Sequence, residues 1–529
     1  MTSRVPASRL ILPDTSMRRR SFLAGATALG VGATALPGGL WAQEPKKGGT
    51  LRAGIAEGGT TDSLDPQTYT DIFMISVGFA THNTLTEINP QGVLEGDAAE
   101  GWEASDNADQ WTFRLRDGIT FSNGDKLTAK DVIASIDHHR GEESKSAAKD
   151  VVEPITEMKA EGDNAVTFVL AGPNADFPYL MADYHLLLMP ATEDGGVNWE
   201  DYVGTGGYVL ESYEPGVRAI MTRRDDYWKP NRAHFDRIEL TVISDSTARQ
   251  NAVATGDVDL ISRTDLKTVH LLKRRPGVRV EEETGLLHYT TPMLTTEAPY
   301  DNNDLRLALK YATDREELVS KILRGHGQVG NDQPIAPSVP FYADLEQRTY
   351  DPDKAKFHLE KAGYGGEELV LSAADAAYAG AVDASLLMQE QMAKAGINVR
   401  VNREPADGYW SNVWMVKPWS ACYWGGRPTC DWMFTQAYSE GANWNDTFWS
   451  HERFNELLVE ARGELDEAKR AEMYAEMQEI VKDEGGVIVW GFANYVYAMQ
   501  EKVKHGPDVA ANWELDGGRY VERWWLDDA

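Results

Sequence analysis

Seven tryptophans stand between Tyr409 and Trp449: Trp410, Trp414, Trp419, Trp424, Trp432, Trp444 and Trp449. Among them runs the segment Trp424-Gly425-Gly426-Arg427-Pro428-Thr429-Cys430-Asp431. Flat, stiff side chains beside glycines and opposite charges suit a pocket that closes on a polar organic molecule. Burial in a core is the commoner fate of any single ring, so the signal lies in the cluster. Trp410 and Trp424 are the expected stacking residues. Arg427 offers a forked donor for a carboxylate or phosphate, and Asp431 offers an acceptor for an ammonium. Together they suit a zwitterion or an amino-acid conjugate; equally, they suit each other as a structural ion pair. Asn443 and Trp444, with Asn445, read as a second pocket-facing turn carrying amide donors and acceptors, or as an Asx-turn before the next helix. Cys422 and Cys430 are the only cysteines. They flank the loop, and both a disulfide and two free thiols stay open, since so short a loop must allow the bridge geometry.

Other chemistries find little support. Gly325-His326-Gly327-Gln328-Val329-Gly330 matches a glycine fingerprint but follows a helix, whereas a dinucleotide site needs a strand before it. His138 and His139 are adjacent on a predicted helix and point about 100° apart, so they do not share a metal and are expected at the surface. There is no G-x-S-x-G elbow and no H-E-x-x-H helix, which argues against a hydrolase or zinc protease. No cofactor is expected.

The elements that must hold these residues alternate between strand and helix. Gly49–Ile55, Trp111–Arg116, Val166–Leu170 and Arg237–Ile243 alternate as strands. Asp117-Gly118 between Trp111–Arg116 and Ile119–Phe121 reads as a hairpin-like unit. Thr128 and Asp131 form a capping box at a helix start, as do Asp314 and Glu317. Thr247–Ala254 followed by Val258–Ile261 completes a strand–helix–strand unit. Ser385–Ala395 is a helix before the strand Ile397–Val401, and Asp466–Lys482 is a long helix before the buried strand Val487–Trp490. An α/β chain of 529 residues exceeds one compact core and implies two or three domains.

The N-terminal segment reads as an address. Arg18-Arg19-Arg20 precede Phe22-Leu23 and a glycine-diluted apolar run to Leu40, the pattern of a twin-arginine export signal with cleavage expected after Ala42. The glycines make it a poor membrane span. A soluble periplasmic protein, monomeric, is expected. The formal charge of −31 repels phosphate backbones and anionic lipid, so neither nucleic acid nor a membrane surface is an expected partner.

An ordered series of blocks carries a family resemblance. It comprises Leu64–Pro66, Ala99–Glu103, Trp111–Gly124, Leu127–Val132, Val203–Tyr208, Tyr227-Trp228, Gly256–Leu260 and Asp304–Arg315. In order and spacing these resemble the family 5 extracellular solute-binding proteins of ABC importers, which include peptide, opine and nickel binders. The resemblance implies a two-lobed periplasmic-binding-protein fold with an extra inserted domain, and a binding protein in place of an enzyme. Lobe I is then 43–81, 220–292 and 500–529, the insert is 82–219, and lobe II is 293–499. Strands near Tyr289–Thr291 and Tyr497–Met499 would be hinges. It places Tyr69, Thr70, Asp71 and Glu57 at the cleft and implies an ABC permease of the inner membrane as partner. In peptide-binding members the loop matching Tyr423–Asp431 carries an acidic residue for the peptide ammonium; here Arg427 stands about there. The expected solute is therefore a small peptide-like or anionic amino-acid-derived molecule. A periplasmic hydrolase and a ligand-presenting sensory subunit are the alternatives.

Overall fold

A computed structural model describes residues 45–528, apart from 143, 145, 147, 406 and 407. The export segment 1–42 lies outside the described residues.

A nine-stranded sheet is the spine of the molecule. Its path runs Cys422–Trp424, Val278–Pro292, Val487–Gln500, Leu260–Ile261, Thr50–Ile55, Arg237–Val242, Arg218–Arg223 and Tyr208–Glu214, and Gly327–Val329 adds to the side of Val487–Gln500. Thr50–Ile55 pairs in parallel with both Arg237–Val242 and Leu260–Ile261. The helix Ser246–Thr255 makes the crossover between those two strands, and Gly256 ends it at φ 82°, where a side chain would strain the backbone.

Two strands of this sheet are much longer than the rest. Val278–Pro292 and Val487–Gln500 pair antiparallel from Val278 against Gln500 to Pro292 against Val487. The pairing is irregular between Thr284 and His288 and between Tyr289 and Thr290. Below the first irregularity, Ala498 packs with Val278 and Val253, and Tyr497 and Met499 join a core with Leu51, Phe73, Tyr208 and Trp524. Above it, Ile488 and Trp490 join a core with Leu305, Met388 and Trp419. Val489 and Phe492 face another core with Phe434 and Tyr474. The two strands thus run from one body into another, and the buried run expected at Val487–Trp490 continues to Gln500 because both ends find a core.

A further core is built on the four-stranded sheet of Ala99–Ala104, Gln110–Leu115, Ala165–Leu170 and Ile155–Ala160. Gln110–Leu115 pairs with Ala99–Ala104 and Ala165–Leu170; the hairpin expected with Ile119–Phe121 is absent, and Thr120 bridges Lys126 instead. The capping box at Thr128 forms, with Asp131 accepting from the Thr128 amide at 2.7 Å. Tyr208–Glu214 and Arg218–Arg223 lie in the nine-stranded sheet and not in this one. His138 is not a free surface group: it meets Asp65 at 2.8 Å. His139 is fully buried against the Ser146 hydroxyl at 2.7 Å.

Candidate binding cavity

A cavity of about 460 Å³ opens between the three bodies. The sheet brings its floor together: Leu287 and Tyr495 come from the two long strands where their pairing breaks, and Tyr423 and Trp424 come from the adjoining edge strand. Gly426 follows and has no room for a side chain, since a Cβ there would stand 1.8 Å from that of Leu286. That approach pins the loop to the break in the long strand.

Arg427 projects from this pinned loop into the cavity lining. Its Nε donates to the Gln436 side chain at 2.6 Å. One Nη donates to the carbonyls of Gly425 at 2.9 Å and Gly426 at 3.1 Å. The guanidinium lies 5.7 Å from the ring centres of both Trp432 and Trp513, a cation–π arrangement. Among the described residues no carboxylate reaches it within ion-pair distance. Burial pulls its pKa down, opposed by Tyr184 and Asp183. Trp513 also meets Tyr184 edge-on at 5.5 Å, so Tyr184, Trp513 and the loop converge on the cation.

The indoles form the opposite wall. Trp414, Trp424 and Trp444 touch pairwise, with centroids 6.4, 6.4 and 5.9 Å apart and planes 56° to 77° from parallel. Trp410 leans on Trp414 at 5.9 Å and on Tyr423 at 5.6 Å. Trp410 and Trp444 are 41% and 40% exposed, unusual for rings in a folded protein that has other cores to fill. Behind the wall, the buried Asp446 accepts the indole N–H of Trp414 at 3.1 Å and of Trp424 at 3.0 Å. Burial raises its carboxyl to about 6.

The facing wall is acidic. Arg263, held at φ 45°, bridges Glu57 and Glu514. Asp71 caps the helix Ile72–Thr81 by accepting from the Met74 amide at 3.0 Å, and burial raises its carboxyl to about 6. Asp183 is held low despite its burial by His185, 2.6 Å away. Tyr69 is buried and shares a hydrogen bond of 2.8 Å with Tyr202.

Eight of the residues singled out from sequence line this cavity: Trp424, Arg427, Trp410, Trp444, Tyr69, Thr70, Asp71 and Glu57. Two do not. Asp431 sits in the first turn of the helix Cys430–Ala437, buried and paired with Arg462 at 3.0 Å; it therefore neither faces a solute nor pairs with Arg427. Asn443 is exposed outside the lining, and Asn445 turns inward to the carbonyls of Ser439 and Trp449. The disulfide is absent as well. Both thiols are free and buried; Cys422 donates to the Tyr423 carbonyl and Cys430 to that of Pro340, each at 3.3 Å. The geometry fails because Cys430 opens a helix that turns away from the strand carrying Cys422. Sequence reasoning missed Asp446, Arg263, Tyr184, Trp513 and Glu514. Asp446 follows Trp444 by two residues and was the one within reach, as an acid embedded in the tryptophan run.

Residues 93–446 match the model of the bacterial extracellular solute-binding proteins, family 5, middle region. The chain belongs to that family. Family 5 relatives align over most of its length. The probable D,D-dipeptide-binding periplasmic protein DdpA of Escherichia coli K12 is 25% identical, over 85% of this chain and 90% of that protein. The glutathione-binding protein GsiB of the same strain is 23% identical, over 81% and 86%. Among solved structures, the periplasmic binding protein AgaA of A. tumefaciens R10 with agropinic acid superposes with a TM-score of 0.77. It is 22% identical and covers 90% of this chain and 99% of that one. DppA of Helicobacter pylori with the peptide STSA gives 0.76 at 22% identity, over 91% and 99%. The architecture is thus the two-lobed α/β fold of periplasmic binding proteins. As a family 5 solute-binding protein, the chain is the binding component of an ABC importer and not an enzyme.

Proposed function

We propose that this family 5 protein works in the periplasm as a monomer. It captures a small amino-acid-derived solute bearing a carboxylate and delivers it to an inner-membrane permease. Arg427 carries the reading: a guanidinium in the cavity wall, oriented by Gln436 and two carbonyls, with no carboxylate of its own among the described residues. A buried cation left unpaired is costly, and a solute carboxylate satisfies it through a charge-assisted hydrogen bond. Relatives are named for D,D-dipeptide (as probable) and for glutathione, and a structural neighbour holds agropinic acid, which supports this reading. Lobe II supplies Arg427 and the indoles, and lobe I with the insert supplies the acidic wall. Only a solute that touches both sides favours the closed form. The irregular stretch around Gly285–Leu287 is the joint, somewhat before the Tyr289–Thr291 expected from sequence.

A thermal-shift screen of dipeptides, glutathione and opines tests this. A ligand at 100 times its Kd stabilises by about 2.7 kcal/mol. Free carboxylates should shift the melting temperature, and their carboxamides should not. Arg427→Ala should weaken binding by about 10- to 100-fold. Ligands that bind equally well as amides, or that ignore Arg427→Ala, overturn it.

A further inference from the structure

Asp446 and the indole wall narrow the solute further. Tryptophan ordinarily presents both a carbon face and an N–H donor to whatever it touches. Here the two donors of Trp414 and Trp424 turn inward onto one oxygen, Oδ2 of Asp446. Neither of these two indoles therefore offers a hydrogen bond to the cavity, and what they present there is ring carbon. The two indoles come from separate segments, Trp414 after the short helix Tyr409–Asn412 and Trp424 from the edge strand Cys422–Trp424. One carboxylate fixes both. Its other neighbours are the Cys422 thiol and the Tyr438 ring, and no cation pairs with it among the described residues. A buried carboxylate with no cation beside it costs stability, yet Asp446 stands here and sets the angle of two rings that line the cavity.

We propose that Asp446 is a positioning residue whose hydrogen bonds turn Trp414 and Trp424 into a donor-free apolar wall, and that the solute carries a bulky aliphatic or aromatic group which lies on that wall. The class is then an amino-acid derivative with a carboxylate at one end and an apolar group at the other. It rests on the Arg427 reading for its carboxylate half.

Calorimetry on the full protein with a matched panel tests it: free amino acids, Gly-X dipeptides and N-carboxyalkyl amino acids, with Gly, Leu or Phe as the varied side chain, each as acid and amide. Leu or Phe should bind at least about tenfold more tightly than Gly. Asp446→Leu should abolish that increment and shift the indole ¹H–¹⁵N signals of Trp414 and Trp424. Asp446→Asn, which keeps an acceptor, should retain most of both. Should Asp446→Leu fail to fold, Trp444→Ala, at an exposed ring, must still shrink the increment. No side-chain preference, unmoved indole signals in Asp446→Leu, or no binding by any member of the panel overturns the proposal. A preference for Leu or Phe that is equal in acids and amides keeps the wall and removes the Arg427 reading; loss on amidation without a side-chain preference does the reverse.

Discussion

The guanidinium of Arg470 stands 2.8 Å from the carboxylate of Asp176, and both side chains are buried. Arg470 belongs to the long helix Glu467–Glu484 and Asp176 to the inserted body. Beside them the Ala175 amide donates to the Arg462 carbonyl at 2.8 Å, and Gly463 packs on Pro173. This seam ties two bodies together away from the cavity. Removing one partner strands a buried charge, so Arg470→Ala should cost about 3–5 kcal/mol in urea unfolding. Asp176→Asn combined with Arg470→Met should recover much of it. A loss below about 1 kcal/mol for the single change would show that water reaches the pair.

Gly426→Ala forces a methyl into the space of Leu286. Overpacking of this kind costs about 1–3 kcal/mol. The loop must retreat from the long strand, and Arg427 moves with it. Solute affinity should therefore fall more than tenfold even where the variant stays folded. A variant with wild-type melting temperature and affinity would refute the pinning of loop to strand.

The two thiols should be silent in the native protein. Burial pushes both Cys422 and Cys430 up, well above the ordinary thiol range, and the thiolate is the reactive form. A thiol reagent should label neither until denaturant is added, and then both. Labelling of fewer than two after denaturation without reductant would indicate a bridge.

Acid should unfold the protein early. Burial holds His82 and His139 down to about 3, and His234 and His288 down to about 4. Unfolding restores an ordinary value near 6.5. The unfolded chain then binds more protons, so stability is lost as pH falls below about 6.5, at about 1.4 kcal/mol per pH unit for each histidine. Asp71 and Asp446, both raised to about 6, act in the opposite direction below that pH. His505, raised despite its burial by its Glu281 partner, opposes the loss as well, but the four depressed histidines outnumber these three groups, and urea midpoints should fall between pH 7.5 and 5.5. A flat profile would contradict the buried neutral rings.

Much of the frame was legible because it is local. The Thr128 capping box, the Gly256 stop and the alternating strands depend on neighbours in the chain, and the tryptophan run announced one cavity wall; the box expected at Asp314 forms only by half, since Asp314 caps the Glu317 amide while its own amide donates to Gln391. Asp431 misled because an acid four residues from Arg427 looks like its companion, whereas a helix begins at Cys430 and turns it toward Arg462. Trp513 and Glu514 carry no local signal of a site; only the return of the chain along Val487–Gln500 brings them over the Arg427 loop. Asp446 was within reach as an acid inside the tryptophan run, but which indoles it braces depends on the folding of two separate segments.

The lining of the cavity is gathered from Glu57 at one extreme to Glu514 at the other. A growing chain therefore cannot complete this lining until Trp513 and Glu514 have left the ribosome. The strand Leu260–Ile261 gains its second neighbour only with Ala498 and Met499, and Arg427 waits for Trp513. Copies that stop before Trp513 would lack the ring set against the Arg427 guanidinium and would compete poorly for the solute.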